Sequence, residues 1–124
     1  MSFRILVVDD DPDVRDLLTR FLKRRGYIVE HACDGEEALA AVREHEPDLM
    51  LLDVYLPKMT GLDVLFHMRD EHPDTRTIAL SGIPGDQIVQ SSKELGAVDF
   101  ITKPFDFPAL TAKIDANLVA GVMA

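Results

Sequence analysis

The sequence predicts an α/β protein built on a doubly wound parallel sheet. Five short apolar runs alternate with segments in which apolar residues recur at helical spacing, which is the pattern of repeated strand-helix units. The run at residues 3–8 is almost continuously apolar, as expected for a strand that is covered on both faces. At 124 residues the chain has the size of one domain, and we expect a single domain over residues 1–124.

The first strand-helix unit has well-marked helix boundaries. Asp11 is a suitable N-cap, and Pro12 suits the first helical turn. Gly26 ends the helix after a basic last turn. Apolar residues at i, i+3, i+4, i+7 and i+8 predict a buried helix face, which consists of Val14, Leu17, Leu18, Phe21 and Leu22.

The second unit and the third strand follow the same plan. Residues 27–32 are predicted as a strand, and an Asp-Gly turn leads into a helix at residues 36–46 that ends before Pro47. Residues 49–52 are predicted as the third strand, again almost entirely apolar. The second helix is expected to bury Ala38, Leu39 and Val42.

Two further strands and three helices complete the pattern. Strands are predicted at residues 77–80 and 98–101, and a helix of low propensity at residues 86–95 lies between them. A loop at residues 57–61 precedes the third helix, and Asp106 can cap the last one. The apolar faces of the third and last helices consist of Leu62, Val64, Leu65 and Met68, and of Leu110, Ile114 and Leu118.

The charge of the chain excludes some classes of partner. A formal net charge of −9 argues against binding of nucleic acid or of an anionic membrane surface. The basic residues are nevertheless unevenly distributed, because five of the thirteen lie in the first helix and its end: Arg15, Arg20, Lys23, Arg24 and Arg25. This segment is either a solvated helix face or a docking face for an acidic partner.

The chain has the sequence properties of a cytoplasmic protein. Cys33 is the only cysteine, so an intramolecular disulfide is excluded, and we interpret it as structural or tolerated. The amino terminus lacks a signal-peptide pattern, and no apolar stretch approaches the roughly twenty residues that span a bilayer. We therefore expect a cytoplasmic protein without a membrane partner.

Acidic residues follow two of the predicted strands. Asp9 and Asp10 come directly after the first strand, and Asp53 follows the third. Because parallel strands end at the same edge of a sheet, these carboxylates are expected to lie close together, where two charges about 4 Å apart repel by roughly 4 kcal/mol. The cluster therefore predicts nearby positive charge, part of it supplied by Lys103 after the fifth strand and the rest by a divalent metal. The first loop has none of the glycines of a nucleotide-phosphate site.

These segments together resemble the receiver domains of two-component response regulators. The resemblance covers essentially the whole chain, in order and with matching spacing, so the set is specific although each segment alone is weak. It implies a CheY-like (flavodoxin-like) (βα)5 fold, with five parallel strands in the order 2-1-3-4-5 and helices on both faces. The matching segments are Ile5-Leu6-Val7-Val8-Asp9-Asp10-Asp11, Asp48-Leu49-Met50-Leu51-Leu52-Asp53, Leu56-Pro57-Lys58-Met59-Thr60-Gly61, Leu80-Ser81-Gly82 and Gly96-Ala97-Val98-Asp99-Phe100-Ile101-Thr102-Lys103-Pro104-Phe105.

The resemblance implies a role for each residue of the cluster. Asp53 would accept a phosphoryl group from a phosphohistidine of a sensor histidine kinase or a histidine phosphotransfer protein. Asp9 and Asp10 would hold Mg²⁺ together with Asp53 and the backbone carbonyl of Tyr55, since Mg²⁺ prefers oxygen ligands. Lys103 would bind a phosphoryl oxygen. The domain would be a signalling switch that catalyses only its own phosphoryl transfer and slow dephosphorylation.

Two further residues match the positions that convert phosphorylation into a change of shape. Ser81 matches the switch hydroxyl, although a serine at a strand end is often an ordinary loop residue. Phe100 matches the aromatic switch position, although a phenylalanine is more often a simple core residue. The Lys103-Pro104 bond resembles one that is cis in this family, whereas X-Pro bonds in general are cis in only about 5–6% of cases.

Departures from the family pattern predict distinctive behaviour. Tyr55 and Ile83 flank the acceptor, and neither has a carboxylate or an amide to orient a hydrolytic water, so we expect slow loss of the phosphoryl group. In regulators with winged-helix outputs, a set of ion-pairing residues on the fourth and fifth helices supports dimerisation. Val89, Ala109 and Lys113 stand where that pattern has basic, acidic and basic residues, and Asp99 matches it, so the set is largely missing. We therefore expect a monomer or a weak phosphorylation-dependent dimer. A downstream protein or an output domain is the expected further partner.

Two other functions are compatible with parts of the pattern. A magnesium-dependent phosphatase of the haloacid-dehalogenase type also uses a strand-end aspartate, but it needs a second acid where Tyr55 stands. A receiver-like interaction module that is not phosphorylated would not need the acids and Lys103. His31, His45, His67 and His72 lack metal-ligand spacing and are interpreted as surface or core residues.

Overall fold

The computed structural model describes residues 2–72, 74–82 and 86–123, which form five strands and five helices in strict alternation. The strands are β1 (Arg4–Val8), β2 (Ile28–Ala32), β3 (Leu49–Asp53), β4 (Arg76–Ser81) and β5 (Asp99–Thr102). The helices are α1 (Pro12–Arg24), α2 (Gly35–His45), α3 (Gly61–Glu71), α4 (Asp86–Glu94) and α5 (Phe107–Met123).

The five strands form one parallel sheet in the order β2-β1-β3-β4-β5. β1 and β3 are neighbours in this sheet, with Val8 opposite Leu52. The strand order reverses between these two strands, which is where doubly wound sheets bind ligands. The predicted fold class and strand order are confirmed.

The helices cover both faces of the sheet because the strand residues alternate in direction. Along β1, Ile5 and Val7 pack against α1 and α5, whereas Leu6 and Val8 pack on the opposite face against α2 and α3. All of β3 is buried, as its nearly continuous apolar run predicts. The rest of the core comes from the predicted helix faces, including Leu18, Leu22, Ala38, Leu39, Val42, Val64, Leu65, Met68, Leu110, Ile114 and Leu118. The prediction that Leu17 is buried is wrong: it is 53% exposed, because α1 turns Leu18 and Leu22 toward the sheet and the neighbouring Leu17 lies outside that face.

Element boundaries differ from the predictions by one or two residues, for identifiable reasons. α2 begins at Gly35 because the side chain of Asp34 caps it by accepting from the Glu37 N–H at 2.8 Å. It ends before Glu46, which has a left-handed conformation with φ 47°. β5 begins at Asp99, and the exposed Val98 precedes it.

Side-chain caps also fix the starts of three further helices. Asp11 accepts from the Asp13 N–H at 2.9 Å and Asp106 from the Ala109 N–H at 2.6 Å, so both predicted caps are confirmed. Thr60 and Asp63 form a reciprocal capping box at the start of α3, in addition to the caps predicted from the sequence. Among residues 2–72, 74–82 and 86–123, no helix is long and apolar enough to cross a membrane.

Candidate functional site

Three predicted acids meet at the carboxyl edge of the sheet. Asp53 is the last residue of β3, and Asp9 and Asp10 follow β1 directly. One carboxylate oxygen from each residue lies within 4.8 Å of one from each of the others. Asp9 and Asp53 are buried, and Asp10 is exposed. The predicted carboxylate cluster therefore exists, with one of its members open to solvent.

Asp9 is held at both its backbone and its side chain. Its N–H donates to the carbonyl of Ala32 at 3.2 Å, which continues the pairing of β1 with β2. Its Oδ1 accepts from the Asp11 N–H at 3.0 Å, and its carbonyl accepts from Nη1 of Arg15 at 2.7 Å. Since Asp9 is fully buried, these contacts leave its carboxylate little freedom to turn.

Asp53 is also fixed, with both carboxylate oxygens hydrogen-bonded. Oδ1 accepts from the Tyr55 N–H at 2.8 Å, and Oδ2 accepts from Nζ of Lys103 at 3.0 Å. Burial raises the pKa of the Asp53 carboxyl above its ordinary value, and these two hydrogen bonds offset only part of that effect. Asp53 is thus a poorly solvated carboxylate, of the kind that gains from an added cation.

Lys103 supplies the positive charge of the site. Its Nζ lies 2.5 Å from Oδ2 of Asp9 as well as 3.0 Å from Oδ2 of Asp53. Burial alone would lower the pKa of the Lys103 ammonium, but the hydrogen bonds to these two carboxylates outweigh it and the pKa is raised. Its backbone N–H donates to the Ser81 carbonyl at 2.7 Å, and the Lys103-Pro104 peptide bond is cis, as the resemblance implied.

The loop after β3 is drawn tightly against the acceptor strand. Gly61, the first residue of α3, donates its N–H to the Val54 carbonyl at 3.0 Å. A Cβ atom at Gly61 would lie 2.4 Å from the Asp53 carbonyl oxygen and 2.6 Å from Cα of Val54. Only glycine fits this approach, because both of these contacts are with backbone atoms.

The two predicted switch residues lie on neighbouring strands beside the site. Ser81 is the last residue of β4, is fully buried and stands opposite Thr102 of β5. Phe100 is on β5 opposite Ala79, is partly buried and packs against the core on the α2 and α3 face. The side chain of Tyr55 is 44% exposed. Ile83 lies outside the described residues.

Two contributors to the site were missed in the sequence. Arg15 was assigned only to the basic face of α1, yet its guanidinium reaches back to the Asp9 carbonyl. Gly61 belongs to the predicted loop at residues 57–61 and to one of the matching segments, but the sequence does not indicate its close approach to β3. A weak signal existed for Arg15, because it lies one helical turn after the N-cap Asp11 and therefore on the side of the helix start.

Cys33 belongs to a separate polar group at the start of α2. Its Sγ lies 3.0 Å from Oε2 of Glu37, and its N–H donates to Oε1 of Glu37 at 3.1 Å. The hydrogen bond with Glu37 raises the pKa of the Cys33 thiol, so the reactive thiolate is disfavoured. These contacts support the interpretation of Cys33 as a structural residue.

Residues 5–115 match the family model described as the response regulator receiver domain. The chain belongs to the response regulator receiver domain family. The match includes every candidate site residue and all five strands, apart from Arg4, the first residue of β1. It makes this chain a receiver domain of a two-component response regulator, which is a signalling domain.

Relatives of this receiver domain include both curated proteins and solved structures. Response regulator MprA of Mycobacterium ulcerans is 40% identical over 118 residues, which cover 95% of this chain and 51% of that protein. The CheY-like receiver domain protein of Methanospirillum hungatei JF-1 is 31% identical with a TM-score of 0.95, over 99% of this chain and 98% of that one. Chemotaxis protein CheY4 of Vibrio cholerae is 30% identical with a TM-score of 0.87, over 94% and 98%. The chain spans about half the length of the curated relatives it matches.

The acidic cluster of this receiver domain fits a magnesium ion by its chemistry. Its three carboxylates offer hard oxygen ligands within a few ångströms of one another, and no sulfur or imidazole ligand is among them. Mg²⁺ binds through a small number of carboxylates and retains several waters, for which the exposed Asp10 leaves an open side. The donor set therefore suits the ion that the family typically binds.

Proposed function

We propose that this receiver domain accepts a phosphoryl group on Asp53 from a phosphohistidine and thereby switches its conformation. The observation that carries the proposal is the Lys103 ammonium, which hydrogen-bonds Asp9 and Asp53 together at the edge of the sheet. Lys103 thus joins the predicted phosphoryl acceptor to a predicted metal ligand. A cation between two carboxylates at the strand-order reversal suits the binding of a phosphoryl group.

In the proposed reaction an Asp53 carboxylate oxygen attacks phosphorus in line with the scissile P–N bond. A new O–P bond forms and the product is an acyl phosphate on Asp53. The histidine nitrogen leaves with the electron pair of the broken P–N bond. Asp53 is prepared for this role because the Tyr55 N–H and Lys103 fix its carboxylate. Lys103 would then bind an oxygen of the transferred group.

Asp9, Asp10 and Asp53 would hold Mg²⁺, together with the backbone carbonyl of Tyr55 predicted from the resemblance. When bound, the ion neutralises charge on the transferring phosphoryl oxygens. Asp10 is the exposed member of the set, so its carboxylate would bind the ion on the side that is open to solvent. Asp9 would contribute a carboxylate oxygen from a fixed, buried position.

Ser81 and Phe100 are proposed to transmit the event to the surface. Ser81 ends β4 next to the site, and its carbonyl is bonded to the backbone of Lys103. A phosphoryl group on Asp53 would attract the Ser81 hydroxyl, and Phe100 on the adjacent β5 could then move inward. Phe100 is only partly buried, so its ring has room to change position.

A histidine kinase or a histidine phosphotransfer protein is the proposed donor. The carboxyl-terminal part of α1 exposes Arg20, Lys23, Arg24 and Arg25, and Leu17 on the same helix is 53% exposed. A basic face with an apolar centre is suited to an acidic partner. We also predict that the chain is a single domain, that it is cytoplasmic, and that it acts on a downstream protein or output domain.

The proposed oligomeric state is a monomer or a weak phosphorylation-dependent dimer. Asp99 and Lys113, which lie on the β5 and α5 side of the domain, form an ion pair with each other at 2.8 Å. Both charges are thus already neutralised within one chain. Sedimentation at micromolar concentration with and without phosphorylation tests this proposal.

Incubation with phosphoramidate and Mg²⁺, followed by intact mass measurement, tests the function. We expect one phosphoryl group per chain in the presence of Mg²⁺, and none when Mg²⁺ is left out of the incubation or when Asp53 is replaced in Asp53→Asn. Asp48→Asn is a matched control, because Asp48 precedes the same strand at its opposite end. An unmodified wild-type chain under these conditions would favour the receiver-like module that is not phosphorylated.

A further inference from the structure

We propose that Arg15 is a positioning residue of the magnesium site, acting through the backbone between Asp9 and Asp10. The inference rests on the proposed function, since it concerns how the chain holds the ion. Arg15 does not belong to the carboxylate cluster. Its Nη1 instead donates to the Asp9 carbonyl at 2.7 Å, from the first turn of α1.

The Asp9 carbonyl is part of the peptide unit that leads to Asp10. Asp9 is anchored on its other atoms, because its N–H bonds Ala32 and its carboxylate bonds the Asp11 N–H and Lys103. Fixing the carbonyl as well sets the plane of the Asp9–Asp10 peptide. Because the Asp11 N–H is also held, by Oδ1 of Asp9, the peptides on both sides of Asp10 are restrained, and this limits the direction of the Asp10 side chain. Asp10 is exposed, so packing does little to orient it.

The position of Arg15 makes this contact geometrically specific. Its own N–H donates to the Asp11 carbonyl at 3.1 Å, as a helical residue one turn after the N-cap. The partly buried side chain then folds back over the loop that carries the acids. A planar guanidinium with several donors is suited to hold a carbonyl in a fixed direction.

Charge and position predict opposite effects of Arg15 on Mg²⁺ binding. A guanidinium close to a cation site repels the ion, so removal of its charge alone would tighten Mg²⁺ binding. Loss of a residue that orients a ligand has the opposite effect, and such outer contacts typically contribute about 10- to 100-fold in metal affinity. The direction of the change therefore distinguishes the two roles.

The test compares Arg15→Met and Arg15→Gln with wild type and with Arg24→Gln. Arg24 is an exposed residue at the end of the same helix, so its variant removes the same charge far from the site. The dissociation constant of Mg²⁺ is measured by calorimetry, and thermal unfolding without Mg²⁺ checks that each variant is folded. We expect both Arg15 variants to bind Mg²⁺ about tenfold more weakly, and Arg24→Gln to bind it like wild type.

Two further measurements separate positioning from general loss of structure. Phosphorylation by phosphoramidate should slow in the Arg15 variants at low Mg²⁺ and approach the wild-type rate at saturating Mg²⁺. Amide exchange should accelerate at Asp10 and Asp11 without a matching change in α5. Unchanged or tighter Mg²⁺ binding in a folded Arg15 variant would overturn the inference. Failure of the wild type itself to bind Mg²⁺ would instead contradict the proposed function.

Discussion

The Lys103 ammonium is closer to Asp9, at 2.5 Å, than to Asp53, at 3.0 Å. Asp9 is fully buried, whereas the Lys103 side chain retains 22% of its exposure. The lysine is thus the main counter-ion of a carboxylate that has no access to water. Lys103, which is proposed to bind the phosphoryl group, therefore also stabilises the acidic site before phosphorylation.

Replacement of Lys103 by alanine should destabilise the fold markedly. The change leaves two buried carboxylates without their cation, and removal of one partner from a buried ion pair costs about 3–5 kcal/mol. We expect a loss near the lower limit, about 3 kcal/mol, because Lys103 is partly exposed. Urea unfolding at neutral pH measures the free energy.

Two comparisons make the Lys103 prediction specific. Lys113→Ala removes the partner of the more exposed Asp99 and should cost less than Lys103→Ala, since exposed pairs contribute at most about 1 kcal/mol. Adding Mg²⁺ should restore part of the stability of Lys103→Ala. Equal losses in the two variants would contradict the counter-ion role.

Asp53→Asn should be more stable than wild type at neutral pH. Burial raises the pKa of Asp53, so the native state binds its proton more tightly than the unfolded chain does. Protonated Asp53 therefore favours the native state at low pH, and the free energy of unfolding falls as the pH rises from the ordinary carboxyl pKa through the raised native pKa. Above that range the ionised, buried carboxylate destabilises the native state. The asparagine removes this penalty, and Lys103 keeps Asp9 as its partner.

Unfolding experiments across pH test the sign of this effect. The advantage of Asp53→Asn should be largest near pH 7 and should disappear as the pH falls below the ordinary carboxyl pKa. Asp70→Asn on the exposed face of α3 should differ from wild type by no more than about 0.5 kcal/mol at any pH. A variant at residue 53 that is less stable at neutral pH would refute the argument.

Gly61→Ala should damage both the fold and the acceptor site. The new Cβ would meet the Asp53 carbonyl oxygen at 2.4 Å, and neither backbone can move without disturbing β3 or α3. We expect a loss of about 2 kcal/mol, in the usual range for overpacking, and slower phosphorylation. Gly82→Ala is the control, because among residues 2–72, 74–82 and 86–123 the atom nearest to its Cβ would be Cβ of Lys103, at an ordinary contact distance of 4.0 Å. Wild-type stability in Gly61→Ala would contradict the close approach.

Magnesium should stabilise the native state through Asp10. Binding to the folded chain alone adds RT ln(1 + [L]/Kd), about 1.4 kcal/mol at a concentration of ten times Kd. Melting curves with and without Mg²⁺ should show this rise in wild type and lose most of it in Asp10→Asn. Asp11→Asn should retain it, because asparagine can replace Asp11 as the cap of α1. An equal loss in both variants would indicate a general effect of acidic charge.

The sequence was sufficient for the acidic cluster because strand ends are well marked in it. A buried strand must end where its apolar run gives way to polar residues, and Asp9 and Asp53 mark those points. The parallel arrangement then places them at one edge. Val98 shows the limit of such patterns: a β-branched residue predicted as the start of β5 is exposed and precedes the strand.

The contacts of Arg15 and Gly61 could not be predicted in the same way. The Arg15 contact depends on a long side chain reversing its direction over the helix start. The Gly61 contact depends on how closely α3 packs on the end of β3, which is set by the tertiary arrangement. A basic residue on a helix and a glycine in a loop are each common without any such role.

The phosphorylated state of this domain should be long-lived, because Tyr55 cannot orient a hydrolytic water. Its side chain is 44% exposed beside the acceptor and has neither a carboxylate nor an amide, so Tyr55→Asn should speed the loss of phosphate. The phosphoryl group is followed by intact mass after removal of phosphoramidate. Phe66→Asn, which alters an exposed aromatic residue on α3, should retain the wild-type lifetime. A wild-type lifetime of seconds, or no acceleration in Tyr55→Asn, would show that another element controls hydrolysis.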